Sequence, residues 1–158
     1  MQIDLGSPQP KQIEFLTATA SYVAYGGARG GGKSWAVDFK AVVMALAYGG
    51  IRQLILRRTY PELLENHIRP LTTKCAGIAR YKDADKTLTF VNGSLIKFGY
   101  CASDQDLAQY QGQEYNILYF QDSSGIFRQC FSVSDAVHHN VLSVLFQQCF
   151  CFDYNSVI

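Results

Sequence analysis

Eight consecutive residues, Gly27-Ala28-Arg29-Gly30-Gly31-Gly32-Lys33-Ser34, fit the pattern G-x-x-x-x-G-K-[ST] without a mismatch. Each residue type has a physical reason. Glycines let successive backbone N–H groups turn towards a β-phosphate with no Cβ in the way. A helix opening near Ser34 points its positive end at the same anion. The Lys33 ammonium can reach the β- and γ-phosphates, and the Ser34 hydroxyl can coordinate Mg2+. The loop therefore predicts a site for ATP with Mg2+, lined by residues 27–34. Arg29 sits inside it, either as a solvated loop charge or as a cation beside the γ-phosphate, where charge develops during transfer.

Such a loop needs a strand before it and a helix after it. Ser21 to Tyr25 (SYVAY) is a short β-prone run ending in Gly26-Gly27, and Trp35 to Tyr48 has an apolar helical body stopped by Gly49-Gly50. Upstream, Pro10 to Thr19 predicts a helix, with Ile13, Leu16 and Phe15 at helical spacing. Downstream, Arg52 to Arg58 predicts a second strand around Leu54, Ile55 and Leu56. Pro61 opens a helical stretch (ELLENHI) expected to stop before Pro70.

Thr87 to Tyr100 alternates apolar and polar residues about Asn92-Gly93, a dipeptide that favours the positive φ angles of a tight hairpin. Ser103 with Asp106 signals a short helix, and Tyr115 to Phe120 a third core strand. This order predicts an α/β fold with a mainly parallel sheet and an inserted β-hairpin.

Charge and cysteine content narrow the class. The 158 residues carry a net charge of +1, so bulk charge makes no case for nucleic acid. No eighteen-residue apolar run and no secretory signal are present, so no membrane span is expected. Five cysteines, an odd number, read as free thiols in a reducing compartment. Cys149-x-Cys151 and His138-His139 match no usual metal-ligand spacing.

The ordered set Pro10-Lys11-Gln12 with Phe15, AYGGARGGGKS, LRRTYPEL at 56–63, NGSLIKFGYC at 92–101 and YQGQEYNILYF at 110–120 resembles the ATPase domain of phage large terminase subunits, motors that package viral DNA into proheads. The resemblance runs from about Pro10 to Phe120. It implies a P-loop NTPase fold of the RecA/ASCE-like kind, with helices on both faces of the sheet. It also implies Mg2+-dependent ATP hydrolysis driving translocation of double-stranded DNA in intact relatives. The implied partners are DNA, a portal and a small terminase subunit, with a homo-oligomeric ring in the host-cell cytoplasm.

By the same resemblance, Gln12 holds the adenine-recognition position; read on its own, it is a surface amide on a first helix. Arg29 matches the loop arginine that acts as a cis finger, and Lys33 and Ser34 take the loop roles above. Arg57 and Arg58 follow the second strand. They either contact DNA, couple nucleotide to motion, or are simply solvated.

The pattern breaks after Phe120. The family has four apolar residues, then an Asp for the Mg2+ shell, then a Glu that polarises water. Here Ile117-Leu118-Tyr119-Phe120 is followed by Gln121 in the Asp position and Asp122 in the Glu position. A neutral amide is a weak Mg2+ partner. Asp122 is left as the acidic candidate for both catalysis and metal, although strand alternation turns it away from the face Gln121 occupies.

Composition breaks at the same place. Residues 1–121 hold 13 of the 14 basic residues and 12 of the 13 glycines, whereas residues 122–158 hold one Arg, no Lys and no Glu. The expected organisation is a partial ATPase domain over 1–121 and a divergent or out-of-frame tail over 122–158. In that tail Val137, Val141, Leu142, Leu145 and Phe146 could line one helix face. Nucleotide binding without efficient turnover is the functional expectation. The alternatives are another P-loop ATPase, such as a helicase-like protein, or a non-functional truncated remnant.

Overall fold

The computed structural model describes residues 3–20, 22–26, 30–110, 113–121 and 143–148. Its centre is a seven-stranded sheet. The strands are β1 (Tyr22–Gly26), β2 (Arg52–Arg57), β3 (Ala79–Lys82), β4 (Thr87–Phe90), β5 (Leu95–Tyr100), β6 (Ile117–Gln121) and β7 (Ser143–Gln148). Their spatial order is β1-β7-β6-β2-β5-β4-β3. The first five in that order run parallel, and β4 and β3 add an antiparallel edge. The mainly parallel α/β architecture expected from the sequence is thus present, with the hairpin appended at one side.

The helices follow from local sequence. Helix α1 (Pro10–Thr17) starts with proline in its first turn, where no N–H is needed. It buries Gln12 and Phe15, while Ile13, expected on the inner face, is 46% exposed. Phe15 turns inward because Tyr25 of β1 stacks on it at 4.8 Å. Helix α2 (Lys33–Ala47) buries Ala36, Val37, Ala41, Val42 and Ala45, a stripe of small residues that lets the helix pack closely. Gln53 of β2 bridges the two layers: its Nε2 donates to Ala41 O at 2.8 Å and its Oε1 accepts from Tyr119 Oη at 2.8 Å.

Four expectations are corrected. The helix after Pro61 does not stop before Pro70. It runs as α3 (Tyr60–Leu63), a π turn (Leu64–Ile68) and α4 (Arg69–Lys74). The wider turn takes up the register change at a proline that can neither donate nor fit a regular α-turn. The hairpin uses only Gly93 at positive φ, 82°, rather than both turn residues. Asn92 instead spends its side chain on Ser94 N at 3.1 Å and on Ala45 O at 2.8 Å, clamping the turn to α2.

The sequence reading lacked β3, which is short and half exposed. Last, Leu145 and Phe146 lie in β7, not on a helix. A β-prone run fits the slot between two parallel strands, where both edges of its backbone find partners. Val137, Val141 and Leu142 lie outside the described residues. The boundary drawn after Gln121 therefore separates β6 from a strand of the same sheet.

Parallel strands bring their carboxyl ends to one edge. Gly26 is level with Gln148, Gln147 with Gln121, Gln121 with Arg57 and Arg57 with Tyr100. In open α/β sheets, ligands bind outside this edge. No described helix is long and apolar enough to cross a membrane.

Candidate functional site

The glycine loop joins the end of β1 to the start of α2. Gly27, Ala28 and Arg29 lie outside the described residues, as does Asp122. Gly30 and Gly32 have φ of 79° and 66°, a region costly for any residue with a Cβ. Gly32 is doubly constrained, because a Cβ there would stand 2.6 Å from Gln12 Nε2. Lys33 and Ser34 form the first turn of α2, where backbone N–H groups have no helical partner. The first-turn position expected for both is what the structure shows, and Lys33 is buried.

Gln12 is also buried, and both ends of its amide are engaged. Its Oε1 accepts from Gln9 N at 2.7 Å, and its Nε2 donates to Gly32 O at 3.1 Å. It ties α1 to the last glycine of the loop. Lys40 makes a second tie: its Nζ donates to Phe15 O at 3.0 Å and to Ala18 O at 3.1 Å, capping the carbonyl end of α1. Burial lowers the pKa of Lys40.

Beneath Ser34 lies a polar chain that joins four elements: α2, β2, the π turn and β6. The Ser34 hydroxyl donates to Gln121 Oε1 at 3.1 Å and accepts from Arg57 Nη2 at 3.1 Å. His67, in the π turn, is fully buried, with Nε2 2.8 Å from Gln121 Oε1 and Nδ1 2.5 Å from Asp38 Oδ1. Arg57 Nε lies farther away, 3.4 Å from His67 Nε2. The shorter contact, ending on a carbonyl-type acceptor, has Nε2–H donating to Gln121, so a second proton lies between Nδ1 and the Asp38 carboxyl. Burial pushes the Asp38 carboxyl up, against the opposing pull of His67, Lys74 and Arg57. Gln121 Nε2 is buried without a partner among the described residues.

Gln121 thus faces Ser34, as its position after four apolar residues suggested. Asp38 and His67 were not among the sequence-predicted site residues, and Arg57 was singled out only as a strand-end cation with its role left open. Asp38 had a faint signal, since it lies one helical turn beyond Ser34 on the same face. Arg57 was visible as a strand-end cation but not its target. His67 had none: 29 residues separate it from Asp38 and 54 from Gln121.

A divalent cation does not fit the donors described here. Magnesium wants an octahedron of oxygens, usually including a carboxylate. Around Ser34 the structure supplies a neutral amide oxygen already accepting hydrogen bonds, and a guanidinium on the serine oxygen itself. A doubly charged ion about 4 Å from that guanidinium would meet roughly 8 kcal/mol of repulsion at an effective dielectric of about 20. No group of three or more His, Cys, Asp or Glu placed to hold a metal exists among the described residues. The expected metal role of Ser34 therefore finds no support in its surroundings. The hydroxyl proton and one lone pair are already engaged by Gln121 and Arg57. What the site offers is a set of donors: loop N–H groups, Lys33, Arg57 and the Gln121 amide nitrogen.

No protein-family model matches the sequence, and no curated protein matches it. Solved structures do match. The large terminase ATPase domain of Thermus phage P74-26 superposes with a TM-score of 0.70 at 16% identity, over 93% of this chain and 67% of that one. The large terminase of another thermophilic bacteriophage gives 0.66 at 19% identity, over 89% of this chain and 38% of that one. That second terminase is also solved in complex with ADP and with ATP-gamma-S. The HK97 bacteriophage large terminase gives 0.63 at 13% identity, over 91% of this chain and 33% of that one. The chain has the fold of terminase ATPase domains, and it spans well under half the length of the latter two proteins.

Proposed function

We propose that this chain is a nucleotide-binding P-loop module of the DNA-packaging motor type, binding ATP through its glycine loop and turning it over poorly. The observation that carries this is the placement of Lys33 and Ser34 in the first turn of α2, beside glycines at positive φ and at the carboxyl edge of a parallel sheet. The thermophilic bacteriophage terminase solved with ADP and ATP-gamma-S shares the fold and supports the nucleotide class. By the resemblance, Arg29 and Asp122 complete the reading, as the cation for the γ-phosphate and as the candidate acid for catalysis and metal. Gln12 sets the loop's position relative to α1, next to where the adenine would lie.

Poor turnover follows from Gln121. Hydrolysis needs a group that orients the attacking water and a carboxylate that holds the metal, and an amide supplies neither charge. Residues 1–121 act as the partial ATPase domain, and residues 122–158, divergent in sequence, contribute a strand to it. As part of a motor the module would act on double-stranded DNA, mainly through its phosphates, with a portal and a small terminase subunit as partners in a ring within the host cytoplasm.

Thermal unfolding with and without ATP tests the reading. A ligand that binds only the folded state stabilises it by about 2.7 kcal/mol at a hundred times its dissociation constant. The wild-type chain should gain stability with ATP, and Lys33→Ala should lose that gain. An equal gain in both proteins, or none in either, would remove nucleotide binding at this loop. A hydrolysis rate matching that of an intact motor and lost in Lys33→Ala would remove the claim of poor turnover.

A further inference from the structure

The donors around Ser34 have a consequence for what neutralises the phosphates. Arg57 reaches the Ser34 oxygen from the end of β2, level with Gln121 at the end of β6. Its fork is half buried and spends Nη2 on Ser34, while Nη1 makes no bond among the described residues. The Gln121 side chain that accepts from Ser34 also carries a buried nitrogen with no partner among the described residues. An orphaned buried donor is unfavourable until an acceptor reaches it, and a phosphate oxygen is such an acceptor. A cation would meet the opposite: a positive neighbour, a neutral amide in contact with the serine, and a hydroxyl already engaged by Gln121 and Arg57.

We propose that Arg57 is a nucleotide-binding residue that supplies, from within the chain, the positive charge a divalent ion would otherwise bring to the phosphates at Ser34. This rests on the nucleotide reading above and adds to it that triphosphate binds without divalent metal. His67 and Asp38 act through others, as positioning residues. The imidazole and the Ser34 hydroxyl both hold Gln121 Oε1, which fixes the orientation of the amide, and Asp38 holds the imidazole. Replacing the metal-binding carboxylate by an amide and placing a guanidinium beside it are consistent with each other. Either change alone would leave the charge at Ser34 unbalanced.

Equilibrium binding of ATP to the full chain in excess EDTA and in excess MgCl2 tests this. For the wild type, affinity should agree between the two within about twofold. Arg57→Gln should bind about tenfold or more weakly in EDTA, the effect of losing a charge-assisted contact. Arg57→Lys keeps the charge without the fork and should fall between them. Wild-type binding that tightens tenfold or more on adding MgCl2 would overturn the proposal, whether or not the Arg57 variants fold. So would an Arg57→Gln protein that folds and binds as the wild type does in EDTA. Binding absent from the wild type in both buffers, or retained in full by Lys33→Ala, would instead overturn the nucleotide reading beneath it.

Discussion

His67 Nδ1 lies 2.5 Å from Asp38 Oδ1 in the interior, and this pair joins the π turn to the second turn of α2. The far nitrogen of the same ring reaches Gln121 at the end of β6, so one side chain links three elements beneath the glycine loop. Buried charge is costly alone, and a partner stripped of its neighbour loses the interaction without regaining water. His67→Leu and Asp38→Leu should each destabilise the chain by about 3 kcal/mol or more, whereas the double variant should fall well short of their sum. Urea unfolding of the four proteins measures this. Additive losses would mean that the two groups are not coupled.

Much of the fold was legible because it rests on local rules. The loop was readable from Gly30, Gly32, Lys33 and Ser34, since only a few residue types allow that backbone and that chemistry. The order of β1, α2, β2 and β6 was readable from apolar runs and their breakers. The His67 chain was not, because it depends on which strand ends lie side by side, and parallel neighbours can be far apart in sequence. The position of β7 was hidden for a related reason. Ser143–Gln148 has the composition of either a strand or a buried helix face, and periodicity cannot separate the two over so short a run.

A second prediction concerns the pair between β6 and β2. Tyr119 is fully buried, and burial raises the pKa of its phenol; its hydroxyl proton goes to Gln53 Oε1. Tyr119→Phe removes the donor and leaves a buried acceptor unsatisfied, at a cost of about 1–3 kcal/mol. The ring and the backbone contacts are kept, so nucleotide affinity should not change. A stability loss below about 0.5 kcal/mol would show that the hydrogen bond is not made in solution.

Alkaline pH should expose the burial of Cys75. Burial pushes this thiol up from 9.0 to about 11, with the Asp38 carboxylate adding to the effect. Below pH 9 the thiol is protonated in both folded and unfolded chains, so its contribution is fully present. Above pH 9 the unfolded chain ionises while the folded chain does not, and stability is lost until the folded thiol titrates near pH 11. Two pH units correspond to about 2.7 kcal/mol. The buried phenols of Tyr110, Tyr115 and Tyr119 shift in the same direction and steepen the loss. Cys75→Ala should therefore show a shallower decline than the wild type between pH 9 and 11, measured as urea midpoints. Parallel profiles for the two proteins would contradict the assignment.

The last prediction concerns β7. Among the described strands, β1 pairs with β7 and with no other, and β7 pairs in turn with β6. The strand that leads into the glycine loop is therefore held to the rest of the sheet through residues 143–148. A chain ending after Gln121 would leave β1 without a ladder and one edge of β6 unpaired, and unpaired buried backbone is costly. Such a chain should lose both its cooperative thermal transition and any stabilisation by ATP. A single substitution makes the same point with less disruption. Leu145 stands between Val23 on one side and Tyr119 on the other, so Leu145→Pro removes a ladder donor from a strand paired on both edges. The loss should be about 3 kcal/mol or more. Faster amide exchange in β1 should accompany it, because a break in β7 frees β1 before it frees β2. If the truncated chain melts as the full one does, or if exchange in β1 is unaffected by Leu145→Pro, then β1 is held to the sheet by something other than β7.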